Sequence, residues 1–252
     1  MSIRKKILAI SIGPVLVLGV ITLLFMLTMV KSSLMDEVQD ALKGTAAATL
    51  AAYDQNTGDY LESTNGDIWK GSYNISKSES LVDRIKENTG MDVTFFYGNK
   101  RIMTSALDKK GNRILGSEAG ERVVNQVIKG KKPFFSTNVS LDGTRNYGYF
   151  IPVYQNGTTD QVIGMVFVGT NKARKDAIVN KILGSIMMAL LVVMLLCIVT
   201  AMRMAASISK NIKNSVAVVG KLADGDLNVW VDEKLLKRKD EIGDLSLSLI
   251  HI

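Results

Sequence analysis

Two stretches without a charged residue, 7–30 and 182–202, constrain this 252-residue chain more than any other feature. At 1.5 Å per residue the first makes a helix of roughly 36 Å, longer than the ~30 Å hydrocarbon core of a bilayer. Pro14 falls early in it, where a lipid-embedded helix tolerates a kink. Both stretches are expected to span a membrane. A cleavable signal peptide is the alternative for the first, because Arg4, Lys5 and Lys6 make a suitable basic leader. The apolar run is too long for that role, and Lys31-Ser32-Ser33 is a poor cleavage site. A buried core helix is the alternative for the second, but it leaves the paired basic flanks unexplained. Arg4, Lys5 and Lys6 precede the first stretch, and Arg203, Lys210 and Lys213 follow the second. The positive-inside rule then puts both termini in the cytoplasm. The layout is a cytoplasmic N-terminus (1–6), a first span (7–30), an extracytoplasmic domain (31–181), a second span (182–202) and a cytoplasmic connector (203–252).

Charge and composition narrow the function. The formal charge of +7 invites a nucleic-acid partner, but the basic residues are scattered and several serve topology, so none is expected. The chain has one cysteine, Cys197, inside the second apolar stretch, and one histidine, His251. Residues 31–181 therefore have no disulfide, and Ser/His, Cys/His and zinc chemistry are excluded there. A carboxylate pair is not excluded, but nothing singles one out. The chain is not expected to be an enzyme, and no cofactor or metal is expected. A membrane-anchored enzyme and a structural tether stay as alternatives of another class.

The outer domain reads as α+β. Leu34, Val38, Ala41, Leu42, Ala46 and Leu50 recur at helical spacing and predict a long helix over about 32–56. Its alanine-rich stretch, 46–52, suits close approach of a second helix or packing on its own sheet. Residues 93–97 and 100–105 flank a Gly98-Asn99 turn, and 134–141 and 145–153 flank Asp142-Gly143; both read as hairpins. Residues 118–129 read as a helix stopped by Gly130. The almost wholly apolar run 162–168 is expected to be a central strand. Alternation places Arg145, Tyr147, Tyr149 and Ile151 on one face of their strand, and Arg101, Met103 and Ser105 on one face of theirs.

Several runs carry a family resemblance. Asp67-Ile68-Trp69-Lys70-Gly71, Thr89-Gly90-Met91-Asp92-Val93-Thr94-Phe95-Phe96 and Lys100-Arg101-Ile102-Met103-Thr104-Ser105 resemble a single Cache domain. So do Tyr147-Gly148-Tyr149-Phe150-Ile151-Pro152 and Val162-Ile163-Gly164-Met165-Val166-Phe167-Val168-Gly169. Cache domains are PAS-like extracytoplasmic sensors of bacterial receptors, and the resemblance implies one small-molecule pocket on a five-stranded sheet. The ligand-binding candidates are Arg101, Thr104, Ser105, Tyr147, Tyr149 and Trp69. An arginine with tyrosine hydroxyls is a reasonable cradle for a small carboxylate. The alternative is that these side chains cover the sheet or meet a dimer partner; for Trp69 it is the core.

Beyond the second span, Ile208, Ile212, Ser215, Val219 and Leu222 follow a heptad seam with one polar member. Leu222-Ala223-Asp224-Gly225-Asp226-Leu227 breaks the helix, Leu227, Val229 and Val231 alternate, and Asp240-Glu241-Ile242-Gly243 opens a second helix. This arrangement resembles a HAMP domain, although Asn211 stands where the family often has proline. HAMP domains form parallel four-helix bundles across a dimer, which implies a homodimer. The run Leu235-Leu236-Lys237-Arg238-Lys239 before Asp240 looks most like HAMP segments of methyl-accepting chemotaxis receptors, implying a chemotaxis kinase and adaptor as downstream partners. Sensor histidine kinases and cyclic-dinucleotide enzymes are the alternatives. The last six residues, Leu247 to Ile252, match the codons CTG TCT CTT ATA CAC ATC, which resemble a transposon-library adapter. They are expected to be read-through on an incomplete gene, with the HAMP domain truncated and the output module missing.

Overall fold

The computed structural model describes residues 3–225, 239 and 241–250, and these form two units. One holds Thr28–Ile182; the other holds the remaining described residues.

Within Thr28–Ile182, α2 (Lys31–Asp54) is amphipathic as its spacing predicts: Leu42, Ala46, Thr49 and Tyr53 are buried. This face packs on two strands of an antiparallel five-stranded sheet. The strands are β4 (Asp92–Tyr97), β5 (Lys100–Thr104), β6 (Phe134–Leu141), β7 (Thr144–Tyr154) and β8 (Val162–Asn171), in spatial order β5-β4-β8-β7-β6. The apolar strand β8 is central, as its composition predicts, and α2 lies on β7 and β8. Asp142 and Gly143 both have positive φ (45° and 78°) at the β6–β7 hairpin, the backbone that a two-residue primed turn requires.

Three elements differ from the sequence reading or add to it. A small sheet of β1 (Tyr60–Glu62), β2 (Ile68–Lys70) and β3 (Tyr73–Asn74) follows α2. Its strands are too short to show alternation. The helix α3 (Glu79–Thr89) comes next and ends on Gly90 in the left-handed region, φ 69°. The helix expected over 118–129 starts later and is mostly not α-helical: α4 (Glu121–Val123) passes into a π-helical turn, Val124–Lys129. Glu118 instead bridges Lys100 of β5.

Two apolar clusters fill the two faces of the sheet. Against α2 lie Val93, Phe95, Met103, Tyr147, Tyr149, Val166 and Val168. On the opposite face lie Phe96, Phe150, Met165 and Phe167, with Val127 from the π-helical turn. Alternation along β7 holds as expected. Along β5 it does not: Phe95 pairs with Met103 but Phe96 pairs with Arg101, so Ile102 is an extra residue in a β-bulge. A bulge shifts the pleat by one residue. Arg101 and Met103, expected on one face, therefore point to opposite faces.

The second unit contains α1 (Ile3–Phe25), most of α5 (Lys172–Ala223) and α6 (Glu241–Ile250). The first helix and α5 are both long and apolar enough to cross a membrane. Their large apolar side chains, including Leu18, Val20, Leu191 and Leu195, are exposed, as lipid-facing side chains are. Thr22 and Thr200 donate their hydroxyls to the carbonyls of Leu18 and Leu196 within their own helices (2.8 and 3.0 Å), which satisfies them without water. Below the second span, Ser215 of the expected seam is buried, as are Ala205 and Ser209, whereas Ile208 and Val219 of that seam are exposed in the single chain. The alternating connector from Asp226 to Arg238, Asp240, and the final His251 and Ile252 lie outside the described residues.

Candidate functional site

The sheet face opposite α2 is incompletely covered. A cavity of about 500 Å³ lies there, bordered by Phe96, Phe150 and Phe167 from the sheet and by Gly120, Arg122 and Val123 from the start of the covering helix. That volume falls in the roughly 300–1,000 Å³ range of small-molecule sites. The aromatic floor is built by glycine pairing. Gly148 and Gly169 face each other across β7 and β8, and a Cβ on either would collide with the Phe167 ring. Phe150 packs on that ring at 4.7 Å between centroids.

Strand β6 forms one wall. Its register against β7 slips between Ser136 and Val139, where β6 has one residue more than its partner. Ser136, Thr137 and Asn138 all border the cavity. A bulge leaves backbone groups outside the ladder, so this wall offers polar main chain as well as hydroxyl and amide side chains.

The one charged group set deep in the site is Arg101, delivered to this face by the β5 bulge. It is 8 % exposed. Among the described residues the only hydrogen bond of its side chain is from Nη1 to the Ile114 carbonyl, at 3.3 Å, and it makes no ion pair. Its Nε is buried without a partner, and its guanidinium carbon sits 5.3 Å from the Phe96 ring centroid. Burial lowers its pKa from the ordinary arginine value, and the charge of Asp92 opposes that shift. A guanidinium offers five donors, and the Nε left buried without a partner costs free energy that an incoming anion would recover. At the rim stand Arg122 and Glu118, so the site is not uniformly basic.

The other five residues proposed from sequence are elsewhere. Tyr147 and Tyr149 lie on the α2 face, separated from Arg101 by the sheet, so the cradle of arginine and tyrosine hydroxyls does not form. The Tyr147 hydroxyl donates to Asp176 at 2.5 Å. Thr104 shares a 2.7 Å hydrogen bond with Thr94 and also meets the Val93 carbonyl and the Ala106 amide. The Ser105 hydroxyl takes the Val93 amide and donates to Asp92. These two residues close the end of the β4–β5 hairpin. Trp69 is in the small sheet, half-buried, paired with Leu61 and Asn74. Among the six, Arg101 alone borders the cavity. The aromatic floor was partly legible, since alternation sets Phe150 and Gly148 opposite the tyrosines. The β6 wall was not, because a bulge has no mark in residue type.

This arrangement, a long helix on one face of a five-stranded antiparallel sheet and a covered cavity on the other, is a Cache, PAS-like sensor fold. Residues 73–182 match the family model described as single cache domain 3. Among solved structures, the chain resembles an extracellular ligand-binding receptor from Desulfohalobium retbaense DSM5692. That match has 15 % identity and a TM-score of 0.41, and covers 58 % of this chain but 25 % of that one. It also resembles the sensor domain of DcuS from E. coli, at 13 % identity and a TM-score of 0.35, covering 60 % of this chain and 98 % of that one. No curated protein matches the chain.

Proposed function

We propose that this chain is the sensory part of a membrane receptor whose outer domain binds a small carboxylate on Arg101. The observation that carries the reading is the buried guanidinium, nearly devoid of partners, at an aromatic-floored cavity of small-molecule size. Guanidinium donors fit carboxylate oxygens in a bidentate fork, and the hydroxyls and amide of Ser136, Thr137 and Asn138 supply the remaining polar contacts. On this reading the ligand is bound and released unchanged.

The two apolar helices cross the membrane with both termini inside, so the cavity samples the exterior. The protein works as a homodimer. On α2, the exposed Ala41, Gly44, Ala48 and Ala51 follow spacings of three, four and three, a seam of small residues that suits a second copy of the helix. Signal passes along α5 to a HAMP-like connector and from there to a chemotaxis output. The Asp-Glu-Ile-Gly run supports the HAMP reading. The resemblance of residues 235–243 to chemotaxis receptors favours that output over a histidine kinase.

The test is thermal unfolding of the full chain in lipid nanodiscs against a panel of small carboxylates, each paired with its neutral amide. At 100 times its dissociation constant, a ligand specific for the folded state stabilises it by about 2.7 kcal/mol. At least one acid should raise Tm while its amide does not. A panel in which amides and acids behave alike contradicts the reading.

A further inference from the structure

Two side chains at the start of α5 tie that helix to the cavity wall. Lys172 and Asp176 are one helical turn apart, share a face, and meet the same tyrosine. Asp176 accepts the Tyr147 hydroxyl at 2.5 Å. The Nζ of Lys172 lies 5.2 Å from the Tyr147 ring centroid and donates to the carbonyl of Thr137 at 3.1 Å. Thr137 is inside the β6 bulge and borders the cavity. Tyr147 also stacks on Phe135, the residue just before the bulge, with rings 10° from parallel and 6.3 Å apart. Thus the bulge is held from two sides by groups that belong to, or bond to, the first turns of α5.

We infer that Lys172, Asp176 and Tyr147 form a latch through which the state of the β6 bulge sets the position of α5. The inference rests on the sensor reading above. A ligand seated against Ser136, Thr137 and Asn138 competes for, or reorients, the bulge backbone, and the Thr137 carbonyl is the point where Lys172 pulls on it. From Lys172, α5 runs as one helix to Ala223, so a displacement of its first turn acts on a continuous helix. Hydrogen bonds with an ionised partner are the short, strong ones, which gives the latch a defined geometry rather than a diffuse contact. Burial, with the Asp176 carboxylate beside it, pushes the Tyr147 hydroxyl up to about 12, so at physiological pH the tyrosine remains the donor. Coupling requires an element that both ends bias; the bulge is that element.

The test needs no ligand. Amide hydrogen exchange is followed on the full chain in nanodiscs for wild type, Lys172→Met and Tyr147→Phe. Lys172 is half-exposed, so its replacement leaves the fold intact even if the tyrosine variant folds poorly. The expected result is at least tenfold faster exchange at residues 137–139 and in the first turns of α5, with the β4–β5 hairpin amides unchanged. Unchanged rates at the bulge in Lys172→Met overturn the latch. So does uniform acceleration across the sheet, which marks a packing role. Neither outcome bears on whether a carboxylate binds, which the thermal panel reads separately.

Discussion

On the proposed reading, Arg101 is where function and stability pull in opposite directions. A buried charge without an ion-pair partner costs several kcal/mol of desolvation, partly offset here by Phe96, the Ile114 carbonyl and the charge of Asp92. Replacing it with the apolar Met, of similar length, should therefore stabilise the ligand-free protein by about 1 kcal/mol or more, read as a higher Tm without ligand, while removing the carboxylate response. A lower Tm would mean that the guanidinium is already satisfied. Gly148 is the opposite case. A Cβ there meets Phe167 Cε2 at 2.5 Å and Val139 Cγ2 at 2.8 Å, so Gly148→Ala overpacks the cavity floor. Such overpacking costs about 1–3 kcal/mol, measurable by chemical denaturation, and Phe167→Leu in the same chain should recover part of it. At this scale the sequence was legible for residue type and not for placement. Of the candidates chosen by type, the β5 arginine is the one that borders the cavity. Its pairing with Tyr147 and Tyr149 failed because the Ile102 bulge reverses the pleat between Arg101 and Met103.

Elements were easier to read where they are long and periodic. The buried face of α2, the central position of β8 and the Asp142-Gly143 hairpin all follow from spacing and turn chemistry. The segment covering the cavity did not, since a π-helical turn breaks the 3.6-residue period and the 107–117 loop has no period at all. That loop is pinned instead by one arginine. Arg113 donates to both oxygens of Asp83 on α3 (2.9 and 2.5 Å) and to the Thr104 carbonyl (2.7 Å). The Arg113 hydrogen bonds hold the Asp83 carboxyl below the usual 3.8, against the opposing effect of burial. A depressed carboxylate stabilises the fold above its unfolded pKa and loses that contribution as pH falls through the folded value. Wild type should therefore exceed Asp83→Asn in denaturation midpoint at pH 7, by about 1 kcal/mol or less because Asp83 is part-exposed. The gap should close below 3.8. A gap that does not narrow as the pH falls below 3.8 would assign the effect to packing. The exposed seam of α2 gives a second check at this scale. In membranes, and with Cys197→Ser as background, Ala48→Cys should form an oxidative cross-link between copies, whereas Asn112→Cys, on an exposed loop, should not.

For the whole molecule, the proposed topology, with both termini inside, places the cavity outside the cell. In the same Cys197→Ser background and in intact cells, Asn112→Cys should react with a membrane-impermeant maleimide, and Lys210→Cys only after lysis. The reverse pattern would invert the receptor and leave the cavity sampling the cytoplasm. The central claim is narrower: Arg101 anchors an anionic ligand. It is tested most directly by isothermal titration of the nanodisc-embedded chain with the carboxylate that gives the largest Tm shift, in wild type and Arg101→Met. The account expects saturable binding in wild type, and at least ~100-fold weaker binding in the variant, as follows from losing about 2.7 kcal/mol of charge-assisted hydrogen bonding. Equal affinity in the two proteins would contradict it.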